Sequence, residues 1–270
     1  MKKPQHPIQL VALDLDGTTL NPEHQLNPAT IEAIRAVHER GIRVVLASGR
    51  LPHSILPIAR RLGLTGVHIG LNGGVAFDMD GSLKHCHRLT LDQLEFAHQI
   101  LAEEGLKPMV FGASGLWASH YDSEVEFLNR SGEPRSKSYE REHLELIEDP
   151  VKVIVVLPAG TRDQELAARL EPQLHVVRSG PRFLEFMPPG VTKGVALAEY
   201  LADLGLEKKH VMAVGDSEND AAMLAVAGFS VAMGNAVESL REQADAVTGT
   251  NEEDGLAQAL HRWILNFDGL

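Results

Sequence analysis

The chain has 270 residues, 44% of them hydrophobic, and a formal net charge of -12; that fits one large or two smaller globular domains and argues against a nucleic-acid-binding surface. Its single cysteine, Cys86, excludes an intramolecular disulfide and points to a reducing, cytoplasmic setting. No apolar stretch approaches a membrane-spanning length, and the opening MKKPQHPIQL lacks the apolar segment of a signal peptide.

The first predicted element is Leu10-Val11-Ala12-Leu13, a short unbroken apolar run of the kind buried on both faces of a parallel sheet. It runs into Asp14, Leu15, Asp16 and Gly17. Asn27 and Pro28 read as an N-cap and a first helical residue, with Ile31, Ile34 and Val37 on one face and Gly41 as the stop. A second apolar strand, Ile42 to Ala47, ends in Ser48-Gly49-Arg50, which completes a β-α-β unit. Pro57 to Leu62 is a short helix candidate, and Val67 to Leu71 a strand ending in Asn72-Gly73-Gly74. Residues 75–84 read as a hairpin with Asp80-Gly81 at the turn.

From about His85 the pattern changes. Helices are expected near 90–104, 122–130 and 162–170, and strands at Val151 to Val156, 174–178 and 182–187. Pro188-Pro189-Gly190 marks a boundary. The first pattern then returns: a helix capped by Thr192, carrying Lys193 and closed by Gly205; a strand Val211 to Val214 ending in Gly215-Asp216; a helix from Asp220 to Ala227; a strand Phe229 to Met233; and a last helix around Glu253 to Ile264. The expected architecture is α/β, with a doubly wound parallel-sheet core made of residues 1–84 and 188–270 and an inserted α+β cap domain of residues 85–187.

Asp14 and Asp16 stand beyond the carboxyl end of a parallel strand, where open sheets bind ligands. Neighbouring carboxylates repel unless a cation or a proton relieves them, and with hard oxygen ligands and a phosphate to bind, magnesium is the natural cation. Lys193, at a helix start, favours an anion.

DLDGT at Asp14 to Thr18, SGR at Ser48 to Arg50, GVTKG around Lys193 and GDSEND at Gly215 to Asp220 resemble, in order, the four motifs of the haloacid dehalogenase superfamily. The placement of the insert is closest to its Cof-like hydrolase branch. The resemblance implies that Asp14 is the nucleophile that takes a phosphoryl group. Asp16 would be the general acid and base, lending its backbone carbonyl to magnesium. Leu15, Ser48, Gly49, Lys193 and Asn219 would hold the phosphoryl group, with Arg50 and Asn72 near the substrate. Asp216 would bind magnesium, and Asp220 would orient Lys193 or support the metal. LNGG at Leu71 to Gly74 departs from the NGA of many relatives.

The implied activity is a magnesium-dependent phosphatase acting on small phosphorylated metabolites, sugar phosphates among them, with the cap choosing the leaving group. A phosphomutase or a non-catalytic binding module on the same fold are the alternatives; the second usually lacks a nucleophile or an acid, and both are present here. His85, Cys86 and His87 are not read as a metal site, because two ligands on one strand face do not make one. Trp117, His120 and Tyr121 are read first as cap packing, and Met212, Met223 and Met233 as core filler.

Overall fold

The computed structural model describes residues 2–123, 125–126, 135–157, 163–171, 173–178 and 182–266. Strand β1 (Leu10–Leu13) has no exposed surface at all. It pairs in parallel with β2 (Arg43–Leu46) on one side and β12 (Val211–Gly215) on the other. With β13 (Phe229–Ala232) and β14 (Ala246–Val247) the order is β14-β13-β12-β1-β2, parallel throughout. A parallel bridge from Ala47 to Ile69 joins the end of β2 to β3 (His68–Gly70). There β4 (Val75–Phe77) and β5 (Leu83–Cys86) continue antiparallel, their turn made at Gly81, φ 88°.

Helix α1 (Pro28–Glu39) buries Ile34 and Val37. Asn27 occupies its N-cap position, yet the side chain makes no capping bond; it joins Asn21 and Asp254 instead. Helix α2 (Pro52–Leu62) starts five residues earlier than Pro57, which lies inside it. Pro52 is pre-organised for the first helical position, and Pro57 forfeits a single backbone bond without ending the helix. The strand expected up to Leu71 ends at Gly70, because Leu71, Asn72 and Gly73 all take positive φ. A Cβ on Gly73 would lie 2.1 Å from the Thr192 carbonyl oxygen, so this strained loop presses against the start of the helix that carries Lys193.

A second, six-stranded sheet lies between residues 109 and 187 in the order β10-β11-β9-β6-β7-β8. Its strands are β6 (Met109–Gly112), β7 (Gly115–Ala118), β8 (Lys137–Ser138), β9 (Pro150–Val156), β10 (His175–Arg178) and β11 (Phe183–Met187). Pairing is antiparallel except between β7 and β8. The β6–β7 hairpin has no counterpart in the sequence reading. Val110, Val153, Val155, Leu184 and Phe186 pack with α3 (Leu91–Glu103) and α4 (Asp163–Leu170). The alternate positions, Phe111, Ile154 and Met187, join the core of the parallel sheet. The helix expected near 122–130 lies largely outside the described residues.

Further α-helices among the described residues are α5 (Lys193–Leu204), α6 (Ala221–Val226), α7 (Glu238–Gln243) and α8 (Gly255–Leu260), the last running on in a π-helical turn to Leu265. Met212, Met223 and Met233 are fully buried, and Trp117 is buried in the helix-facing cluster, while Tyr121 is exposed. His85 and His87 bond to Asp203 and Glu199 of α5, at 2.7 and 2.9 Å.

His68 is fully buried on β3; its Nδ1 accepts the Leu46 N–H at 3.2 Å, and its Nε2 has no partner among the described residues. Burial lowers its pKa to about 4. A depressed histidine gives stability that is whole above the unfolded pKa and is lost as pH falls toward the folded one. Between pH 7 and 4.5 the wild type is therefore expected to lose about 2–3 kcal/mol more than His68→Asn, which keeps an acceptor but does not titrate. Urea unfolding of both proteins at the two pH values checks this, and equal losses would refute it.

Candidate active site

Asp14 leaves β1 with its N–H on the Val214 carbonyl, at 3.1 Å. The chain then folds back tightly: the Leu15 carbonyl accepts from Thr18, Thr19 and Leu20, and Thr19 Oγ1 donates to the Asp14 carbonyl at 2.6 Å. Leu15 is wholly buried, with its side chain in the core. Gly17 sits at φ 86°, and a Cβ there would lie 2.4 Å from Asp216 Oδ2. Glycine thus lets the first and fourth motifs close on each other.

Lys193 opens α5, where Thr192 Oγ1 caps the helix by accepting from Val195 N–H. Its Nζ donates to Asp14 Oδ1 at 2.6 Å and Asp220 Oδ1 at 2.7 Å, and all three residues are buried. Asp220 Oδ2 accepts the N–H groups of Asp216 and Ser217, both at 3.0 Å. Asp216 accepts from Thr18 Oγ1 at 2.9 Å and Ser217 Oγ at 3.0 Å.

Carboxylate oxygens of Asp14, Asp216 and Asp220 come within 4.8 Å of one another. Burial, reinforced by Asp220, holds the Asp14 carboxyl well above its ordinary range against the pull of Lys193. Burial and Asp220 likewise push Asp216 up to about 6. Burial opposes the charge on Lys193, but Asp14 and Asp220 outweigh it and keep the ammonium charged beyond the ordinary lysine range. One ammonium faces three acids in a nearly dry site, which leaves room for a further cation. The donors are hard oxygens, as a divalent ion of that kind requires. Asp220 is already committed to Lys193 and two backbone amides, so Asp14 and Asp216 are the direct ligand candidates.

Ser48 and Gly49 follow β2, and Ser48 Oγ accepts the Arg50 N–H at 3.2 Å. Arg50 turns to Asp16: its Nε donates to Oδ2 at 2.8 Å and its Nη2 to Oδ1. His24 Nδ1 lies 3.0 Å from Asp16 Oδ1. Burial would raise the Asp16 carboxyl, but Arg50 and His24 prevail and hold it below its ordinary value. His24 had no sequence signal beyond its place in a polar loop.

Asn72 is buried with both ends of its amide engaged. Its Oδ1 accepts from Asn219 Nδ2 at 3.0 Å, and its Nδ2 donates to Glu185 Oε2 at 2.7 Å. Lys152 Nζ donates to the same Glu185 oxygen at 3.0 Å and to the Gly49 carbonyl at 2.9 Å. Glu185 and Lys152 come from the six-stranded sheet and were missed in the sequence. The available signal was a lone charge inside each of two apolar strands, FLEFM and PVKVIVV. A cavity of about 170 Å³ is lined by Asp14, Asp16, Ser48, Gly49, Arg50, Glu185, Ser217 and Asn219.

The model of the haloacid dehalogenase-like hydrolase family matches residues 11–260. The 5-amino-6-(5-phospho-D-ribitylamino)uracil phosphatase YcsE of Bacillus subtilis is 30% identical over 96% of both chains. A phosphoglycolate phosphatase of Methanoculleus marisnigri is 28% identical over 95% of this chain and 97% of its own. Among solved structures, a haloacid dehalogenase-like hydrolase from Bacteroides thetaiotaomicron superposes with a TM-score of 0.82 at 30% identity, covering 94% of this chain and 99% of that one.

Proposed function

The chain belongs to the haloacid dehalogenase-like hydrolases and is a phosphoric monoester hydrolase; from that premise we propose that it is a magnesium-dependent phosphatase of small phosphorylated metabolites, sugar phosphates among them, working through an aspartyl-phosphate. The observation that carries this reading is the Asp14–Lys193–Asp220 chain beside Asp216, with Asp14 lining a cavity that Ser48 and Gly49 also line.

In the first half-reaction a carboxylate oxygen of Asp14 bonds to phosphorus as the ester P–O bond breaks, and Asp16 gives its proton to the leaving alcohol. In the second, the Asp16 carboxylate takes a proton from water. The resulting hydroxide oxygen attacks phosphorus, freeing inorganic phosphate and Asp14. Lys193 offsets charge on Asp14 and on the transferring group, with Ser48, Gly49, Asn219 and the Leu15 backbone donating to phosphoryl oxygens. Arg50 and His24 keep Asp16 in the form that activates water, so the Arg50 contact has to loosen for the first half-reaction. Asp14, Asp216 and the Asp16 carbonyl would hold magnesium, which when bound offsets negative charge on the phosphoryl oxygens.

Residues 1–84 and 188–270 are the catalytic core in this reading, and residues 85–187 the cap that excludes water and selects the leaving group. No helix among the described residues is long and apolar enough to cross a membrane; a cytoplasmic location and a small-molecule partner complete the proposal. Relatives at similar identity carry different substrate names, so the test is a panel of phosphorylated metabolites read by phosphate release. Release is expected with magnesium, none in excess chelator, and little with calcium, whose longer and more numerous ligand bonds do not suit a site for octahedral magnesium. Full activity in chelator would refute the metal requirement.

A further inference from the structure

Lys152 and Glu185 stand inside the apolar strands β9 and β11, 2% and 3% exposed, and bond to each other at 3.0 Å. Well-packed apolar residues often serve stability as well as such a buried pair, or better. What distinguishes this pair is where its two members reach: Lys152 to the loop after β2, Glu185 to the loop after β3.

Lys152 Nζ lies 4.7 Å from the centre of the Phe111 ring and donates to the Gly49 carbonyl at 2.9 Å. The N–H of that same peptide, on Arg50, donates to Ser48 Oγ at 3.2 Å. A peptide is planar, so holding its carbonyl also aims its N–H. Ser48 Oγ is thereby engaged as an acceptor, and its own proton is left to donate.

Glu185 acts through two amides. A carboxylate paired with a lysine accepts only, so Asn72 turns its Nδ2 to Glu185 and its Oδ1 to Asn219 Nδ2. Asn219 Oδ1 is then buried, with no partner among the described residues. A lone buried acceptor is unfavourable, and so is the positive φ of Asn72, 54°. The Glu185 carboxylate holds the amides this way round against both. One N–H of Asn219 Nδ2 goes to Asn72, and the other is left to donate. The two arms pack against each other, since a Cβ on Gly49 would lie 3.2 Å from Asn72 Oδ1. They end on Ser48 and Asn219, both on the wall of the cavity that Asp14 lines.

Resting on the phosphatase reading above, we infer that Lys152 and Glu185 are positioning residues, which fix Ser48 and Asn219 as hydrogen-bond donors to the transferring phosphoryl group. The six-stranded sheet thus completes the phosphoryl site itself, and losing the pair slows every phosphate donor alike, whatever its leaving group.

The test pairs two double variants with the same change of charge: K152M/E185L removes both arms, and K152M/E185Q keeps an acceptor for Asn72. Glycerol phosphate, p-nitrophenyl phosphate and acetyl phosphate are compared in kcat/KM with magnesium. Binding of inorganic phosphate is measured by calorimetry, with a thermal melt of each protein. K152M/E185L is expected to lose about a hundredfold in kcat/KM by one common factor for the three donors, as small misplacements at a reacting centre do. It should bind phosphate about tenfold more weakly, for want of well-placed donors to a charged group. K152M/E185Q should recover about tenfold of the rate, because the Asn72–Asn219 arm is kept in place. Where K152M/E185L fails to fold, the remaining loss in K152M/E185Q, again common to the three donors, is the measurement, and an unchanged rate there would overturn the inference. A loss confined to one leaving group, an unchanged phosphate affinity in folded K152M/E185L, or equal rates in the two folded variants would also overturn it and leave the phosphatase reading standing. A wild type that releases phosphate from no donor and binds none would overturn both.

Discussion

Asp14→Asn is expected to lower phosphate release below about one per cent of wild type, because removing a nucleophile normally costs several orders of magnitude. The amide has the shape of the carboxylate and can still offer an oxygen to Lys193 Nζ, now 2.6 Å from Asp14 Oδ1. It cannot form the covalent intermediate proposed for Asp14. The fold should survive, since burial already disfavours the Asp14 charge. Steady-state release from the best panel substrate, with a thermal melt of both proteins, is the measurement. Retained release in a folded variant would end the covalent mechanism.

Lys193→Met is expected to cost both rate and stability. Lys193 Nζ is the only cation bonded to Asp14 and Asp220 among the described residues. Methionine fills similar space but leaves two buried carboxyls without it. Breaking a buried pair in this way costs about 3–5 kcal/mol, and loss of charge stabilisation at the phosphoryl group should slow turnover about a thousandfold. The sign with pH follows. Without the ammonium, the folded-state pKa of Asp14 rises further above its unfolded value. Stability from such groups is whole at acid pH and is lost as pH rises through the folded pKa. The deficit should be large at pH 7 and smaller at pH 4.5. Urea unfolding of wild type and variant at both pH values measures it, and a pH-independent deficit would contradict the electrostatic origin.

The parts of the site legible in the sequence are those fixed locally. Asp14, Ser48 and Asp216 each follow an apolar strand, and Lys193 follows a capping threonine, so their positions depend on elements a few residues long. The parallel core was legible for the same reason, since buried central strands are continuously apolar. What escaped depends on partners distant in the chain. Glu185 and Lys152 gain their meaning only when β11 and β9 pair and reach Asn72 and Gly49. Arg50 reads from the sequence as a residue near the substrate or in a salt bridge, and its bond to Asp16 crosses a loop whose closure no local pattern specifies. The β6–β7 hairpin was missed because its strands are four residues each, too short for alternation to stand out. Pro57 hid the first half of α2, since a proline more often starts a helix than sits inside one.

The register of β1 against β12, Leu10 beside Val211, also bears on how the protein is born. During synthesis β1 leaves the ribosome early, with β2 soon after, but its other neighbour lies about two hundred residues downstream. The six-stranded sheet is drawn wholly from residues 109–187 and is complete before β12 exists. The late-made sheet can therefore organise first, while the earliest strand waits with one edge open, a state in which hydrophobic strands are prone to wrong pairing. Asp14 meets Lys193 only late in translation, so a chain truncated before that point carries Asp14 without the cation that pairs with it.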